Sequence, residues 1–182
     1  MDDLMIWDDT LTKRIIQGDK TAFEICYRQL SPFVYSAIYK VCQDKELSKD
    51  IVQETFITAY RKANELKHDT NMLAWLKRVA FNQTINTLKR QNRFDDDSEV
   101  QNKVDTSDSV ETVVENERLF LFILSKVSLS ERIILWLYFV EQYKHHEIAE
   151  LMGKSLSYSK LVVSRTISSL KKSPALAEVI NA

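Results

Sequence analysis

Six residues between Trp75 and Arg93 have the types and the spacing to hold unpaired bases. Trp75, Arg78, Asn82, Asn86, Lys89 and Arg93 follow one another at intervals of three, four, four, three and four. At roughly 100° per residue they form one stripe, less than a quarter of a helix circumference wide. An indole offers a stacking platform, amides offer paired donors and acceptors, and cations meet phosphates. That set suits a single strand of nucleic acid. No Asp or Glu occurs from Thr70 to Phe94. A merely solvated helix face usually mixes both charge signs, so the functional reading is favoured over it. Leu73, Leu76, Val79, Ala80, Phe81, Ile85 and Leu88 supply the apolar surface that would fix this helix, beginning at Met72, against a core.

The rest of the chain must position that stripe. It has 182 residues but only two Gly and two Pro, so an all-helical fold is expected. The overall net charge is −1, yet the blocks differ: residues 1–94 carry +3, residues 95–117 carry −8, and residues 118–182 carry +4. Two basic blocks joined by an acidic connector point to two small helical domains. These are placed at 1–94 and 113–182, with a flexible acidic linker over 95–112. The linker is either a passive tether or a polyanionic strand that occupies a basic channel made for nucleic acid. Asp8 to Gln17 reads as a short helix stopped by Gly18, and Asp19 can cap the next, which runs to about Gln43. Pro32 should kink or break that helix. Leu47 to Leu66 has the clearest helical period, with Asp50, Gln53, Glu54 and Ile57 on its outer side. Lys67 to Asn71 is a polar loop.

In the second domain, Val113 to Val127 is expected to be helical, Ser128 or Ser130 can cap the next helix, and Ile133 to Val140 should be central to the core. Lys144 to Met152, the turn at Gly153, and a helix capped by Ser155 or Ser157 make a helix-turn-helix, in a domain of four helices. Lys160, Ser164 and Ser168 lie opposite the inward positions of its last helix, with Leu161 and Arg165 beside them. Leu161 could meet a thymine methyl in a major groove. No acid occurs from Leu151 to Ala177.

Chemistry of other kinds is missing. His145 and His146 are adjacent, so they point about 100° apart rather than together toward a metal. Cys26 and Cys42 read as buried small hydrophobes. No phosphate loop, nucleophile setting or carboxylate pair occurs, so neither an enzyme nor a cofactor nor a metal is expected. The N-terminus lacks a signal pattern and no run approaches a membrane span, which gives a soluble, cytoplasmic protein as the expectation.

Several segments together resemble a known family. Gly18-Asp19 with Ala22-Phe23, Asp50-Ile-Val-Gln-Glu-Thr-Phe-Ile57, Trp75-Leu-Lys-Arg-Val-Ala-Phe-Asn82, Leu129-Ser-Glu-Arg132 and Glu147-Ile-Ala-Glu-Leu-Met-Gly153 are similar to the extracytoplasmic-function sigma factors of bacterial RNA polymerase. The resemblance covers about residues 10 to 172. It implies that Asp50, Gln53, Glu54 and Ile57 dock on the clamp helices of the polymerase beta-prime subunit. The Lys67–Leu73 loop, including Asn71, and the helix bearing Trp75, Arg78, Asn82, Asn86 and Lys89 would open the minus-ten element and capture a flipped base. Lys160, Leu161, Ser164 and Arg165 would contact the minus-thirty-five element as duplex. The implied partners are core RNA polymerase (beta-prime clamp helices and beta flap), promoter DNA and an anti-sigma factor, with no small-molecule substrate and no membrane insertion. Ser157-Tyr-Ser159 stands where the family usually has Gly-Thr-Val. The competing reading is a stand-alone helix-turn-helix regulator that binds duplex DNA without polymerase; a helical adaptor is a third, opposed by the two acid-free helices.

Overall fold

The computed structural model describes residues 9–67, 69–91 and 115–171. Among these, all regular structure is helical, and the chain divides into two compact units, residues 1–90 and 91–182. The first unit contains α1 (Asp9–Ile16), α2 (Lys20–Cys42), α3 (Lys45–Arg61), a 3₁₀ turn (Ala63–Glu65) and α4 (Met72–Arg90). The second contains α5 (Glu115–Leu124), α6 (Leu129–Phe139), α7 (His145–Met152) and α8 (Leu156–Lys171). The acidic stretch 95–112, Arg93 and His68 lie outside the described residues.

Local signals set most helix boundaries. Gly18 takes a positive φ of 83°, a conformation that L side chains resist, and α1 stops there. The Asp19 carboxylate then accepts from the backbone N–H of Thr21 and Ala22, at 2.9 and 3.1 Å, and starts α2. The Ala22 hydrogen bond, with Arg14 alongside, holds the Asp19 carboxyl below its ordinary range. Asp44 caps α3 through Leu47 N–H at 3.0 Å.

Of the kink or break expected at Pro32, the break does not occur. Pro32 lies inside α2, and the helix is unbroken. Pro32 is exposed, so the Arg28 carbonyl that loses its helical donor can turn to water. Leu30, Val34, Ala37 and Ile38 on either side are buried, and that packing outweighs the missing bond.

α2, α3 and α4 pack against one another, and α1 closes on α2 and the 3₁₀ turn. Leu76, Ala80, Phe81, Ile85 and Leu88 of α4 are wholly buried or nearly so, which anchors the helix and fixes the direction of its other side. Tyr27 and Tyr60, which the periodicity places in buried stripes, are about half exposed. Their rings lean edge-on against Phe56 and Phe23, with centroids 4.9 and 5.1 Å apart.

In the second unit, Ser128 and Glu131 form a reciprocal capping box at the start of α6. Ile133 to Leu137 is fully buried, whereas Phe139 and Val140 emerge at the helix end. Gly153, at φ 64°, makes the tight turn between α7 and α8. The N-terminal turn of α8 is capped by Ser155, whose hydroxyl accepts from Tyr158 N–H at 3.1 Å. Val162, Val163 and Thr166 then bury the inner side of α8. Fold class and helix-turn-helix are therefore as the sequence indicates.

Candidate nucleic-acid interface

The first half of the α4 stripe opens into a cleft of about 380 Å³ within the first unit. Trp75, Arg78 and Asn82 line it, together with Val79 and Gln83 from the same helix. Thr58 of α3, then Lys62, Glu65 and Leu66 from the segment after it, form the opposite wall. Trp75 and Asn82 are half-buried, so each keeps a face toward the cleft while its helix stays anchored. Asn86 and Lys89 are exposed and lie outside the cleft, further along the same stripe.

The cleft combines an indole, two apolar side chains, two cations, a carboxylate and several neutral hydrogen-bonding groups. Its volume is in the range of small-ligand sites. Stacking on the indole needs only a π face, whereas the amide of Asn82 and the carboxylate of Glu65 can read a base edge. Glu65 is a departure from the acid-free helix: the carboxylate arrives from the 3₁₀ turn, which the pattern along α4 could not reveal. With Lys62 and Arg78 on the same cleft, the cations still exceed the acid.

Asn71 has a second job. Its Oδ1 accepts from the Ala74 backbone N–H at 3.0 Å, and its carbonyl accepts from Trp75 N–H at 3.0 Å, so Asn71 starts α4. Asn71 is exposed, and the cap uses only its oxygen atoms. Capping and contact are compatible because they use different atoms of the amide.

Gln83 is absent from the sequence-based set. Its amide crosses from α4 to α3, donating to Thr58 Oγ1 at 2.9 Å and to the Glu54 carbonyl at 3.2 Å. Its Oε1 accepts from Thr55 Oγ1 at 2.8 Å. Its partners lie 25, 28 and 29 residues back along the chain. No local pattern signals a bond of that span.

On the outer side of α3, Asp50, Gln53, Glu54 and Ile57 are all exposed and share one face at helical spacing. Ile57 is 39% exposed and Tyr60, one turn on, is 49% exposed, so this face has an apolar end.

In the second unit, Lys160, Leu161, Ser164 and Arg165 of α8 are all exposed, and Leu161 at 60% is among the most exposed apolar residues. The same helix is tied inward at Ser159, whose hydroxyl lies 3.0 Å from His145 Nδ1. The His145 ring stacks on Tyr138, with centroids 4.6 Å apart. His145 is thus a strut between α6, α7 and α8. Among the described residues no cluster of His, Cys, Asp and Glu could hold a metal ion. Two features of this unit escaped the sequence reading. Arg165 pairs with Glu131, the acid of the α6 capping box. The buried Arg132 donates through Nε to the Leu124 carbonyl at 2.7 Å, which satisfies the C-terminal end of α5.

Residues 26–94 match the family described as Sigma-70 region 2, which contains the cleft and the outer face of α3. The RNA polymerase sigma-H factor of Pseudomonas aeruginosa is 32% identical over 93 residues, 51% of this chain and 48% of that protein. The ECF RNA polymerase sigma-E factor of Haemophilus influenzae is 33% identical over 86 residues, 47% of this chain and 45% of that protein. The chain thus covers about half the length of the curated relatives it matches. Among solved structures, CnrH in complex with the cytosolic domain of CnrY aligns over 96% of this chain and 97% of that one, with a TM-score of 0.52 and 18% identity. The sigma factor RpoE of Bartonella quintana, solved with the anti-sigma factor NepR, aligns over 80% of this chain and 92% of that one, at 0.51 and 19%. At such identities these two show the shared all-helical fold.

Proposed function

We propose that this chain, which carries Sigma-70 region 2 over residues 26–94, acts as an RNA polymerase sigma factor of the extracytoplasmic-function type. It binds core polymerase, directs it to particular promoters and helps to melt the minus-ten element. The observation that carries this reading is the cleft that joins Trp75, Arg78 and Asn82 within the matched segment. Turning a base out of a duplex costs a few kcal/mol. Stacking on an aromatic side chain returns about 1–3 kcal/mol per base. Asn82 and the cations at the cleft supply edge contacts and phosphate contacts for the rest. The chain works by binding; the polymerase supplies the catalysis.

The other faces take roles that follow. Asp50, Gln53, Glu54 and Ile57 form the docking face for the beta-prime clamp helices. Lys160, Leu161, Ser164 and Arg165 present cations, a hydroxyl and an apolar group to a duplex major groove at the minus-thirty-five element. Asn86 and Lys89 follow the strand beyond the cleft. Of the solved structures that share this fold, RpoE was solved with the anti-sigma factor NepR and CnrH with the cytosolic domain of CnrY, which supports an anti-sigma factor as a partner here. A stand-alone helix-turn-helix regulator is not favoured, because it leaves the region 2 segment and its cleft without a use.

The test is promoter opening with core polymerase, read by permanganate reactivity of unpaired thymines. Asn82→Ala and Trp75→Ala should abolish opening while the chain still co-purifies with polymerase. Normal opening by both variants refutes the role of the cleft. Tight promoter binding by the chain in the absence of polymerase would favour the stand-alone regulator.

A further inference from the structure

We propose that Gln83 is the positioning residue of the cleft: it fixes the spacing between α4 and α3, and so the distance of Trp75 and Asn82 from the opposite wall. The inference rests on the reading of the cleft as a site for unpaired bases. Gln83 lines the cleft beside Asn82, which would ordinarily make it another contact residue. Its hydrogen-bond inventory argues otherwise. A glutamine amide has two donor hydrogens, and both are committed to α3, to Thr58 Oγ1 at 2.9 Å and to the Glu54 carbonyl at 3.2 Å. Its oxygen already accepts from Thr55 Oγ1 at 2.8 Å. The side chain has nothing left to donate to a base.

The arrangement is also more specific than packing needs. Beneath it, Leu76, Ala80, Phe81 and Ile85 of α4 are at most 1% exposed. That apolar layer holds the helix in the unit without help from Gln83. A non-directional apolar contact tolerates small sliding and rotation, whereas hydrogen bonds to two side chains and one carbonyl fix a register. Thr55 is itself fully buried, and its one hydroxyl proton is shared between the Ile51 carbonyl at 2.6 Å and Gln83 Oε1 at 2.8 Å, so this contact is anchored on α3. Thr58 is both a partner of Gln83 and a lining residue, so the bond between them spans the two walls. Widening the gap would carry Trp75 and Asn82 together away from Thr58, Lys62 and Glu65, so that a base held by α4 would lose its contacts with the opposite wall.

The experiment uses the full chain with Gln83→Met, Thr58→Val and the double variant. Methionine keeps length and apolar bulk and loses every hydrogen bond; valine removes the same cross-wall bond from the other side. Two readouts are taken. In the chain labelled with 5-fluorotryptophan, the Trp75 fluorine line, assigned from Trp75→Phe, should shift or broaden in Gln83→Met. The line of Trp136, in the other unit, should stay in place. In the holoenzyme, the opening rate per polymerase-bound chain should fall about tenfold, as loss of one to two net hydrogen bonds predicts. The double variant should be no slower than Gln83→Met alone, because both changes cut one linkage. An unmoved Trp75 line in Gln83→Met overturns the proposal. So do opening defects that multiply in the double variant, since independent defects mean that each side chain touches DNA itself. If the unaltered chain fails to open promoters, the single-strand reading falls, and the fluorine line still decides the role of Gln83.

Discussion

Replacing Glu131 by Gln should strengthen duplex binding by α8. The Glu131 carboxylate serves three partners. One oxygen accepts from Ser128 N–H and from Ser128 Oγ, both at 3.1 Å, and the other faces the Arg165 guanidinium. Glutamine is an accepted member of a capping box, so its oxygen can keep the bond to Ser128 N–H and α6 keeps its start. What disappears is the charge opposite Arg165. The Arg165 side chain is 63% exposed while that of Glu131 is 14% exposed. A pair so open on one side is worth about 0–1 kcal/mol. In the proposed complex Arg165 must leave that pair to reach phosphate or a base edge, so the same amount is lost on binding. Removing the acid should therefore raise affinity by up to about fivefold, since 1.4 kcal/mol is tenfold. It should also steepen the dependence on salt, by at most about one phosphate's worth.

The assay is fluorescence anisotropy of the holoenzyme on upstream promoter duplex over a range of salt concentrations. Arg165→Ala is the reference, and in that background Glu131→Gln should change nothing, because the coupled partner is already gone. Weaker binding by Glu131→Gln, in the same proportion as Arg165→Ala, refutes the reasoning. It would mean that Glu131 presents the arginine to DNA instead of restraining it.

Three further outcomes are expected. Arg132→Met should lower the stability of the second unit by roughly 1.5–3 kcal/mol, the range for hydrogen bonds to a charged group, because it strips the Leu124 carbonyl of its donor; a two-transition melt checks this, and the first unit's transition should not move. The folded-state pKa of Asp19 lies below the carboxyl's ordinary 3.8, so its contribution to stability is fully present above that value. It is lost as pH falls through the lower folded value. Asp19→Asn keeps a cap acceptor but should flatten acid unfolding of the first unit in that window, as followed by circular dichroism. Burial pushes the Cys26 thiol up to about 12, so native protein at pH 8 should leave it unlabelled by a thiol reagent that reacts readily in denaturant; fast native labelling would show that α2 opens locally.

Much of the fold was legible because its signals are local. Gly18, Asp19, Ser128 with Glu131, and Gly153 act within one helical turn, and a reader of spacing finds them. The stripe of Trp75, Arg78 and Asn82 was legible for the same reason: one helix writes it. What lay beyond reach is what a second helix contributes. Lys62, Glu65 and Thr58 become cleft residues only once α3 and the 3₁₀ turn lie against α4. Gln83 looks like one more exposed polar residue until its partners 25 to 29 residues away are in place. Pro32 does not break α2, because propensity is a weak prior beside the burial of its neighbours. The two tyrosines Tyr27 and Tyr60 fit a buried period yet stand half open, since a phenol satisfies both environments.

α3 shows two different sides to the rest of the system. At Glu54 the carboxylate points outward, on the proposed docking face, while the carbonyl of the same residue receives the Gln83 amide. Side-chain replacement there can uncouple attachment from melting, because the peptide group stays behind. A proline at Gln53 or Glu54 would disturb both at once through the helix backbone. Genetics on this helix will therefore sort by atom rather than by residue.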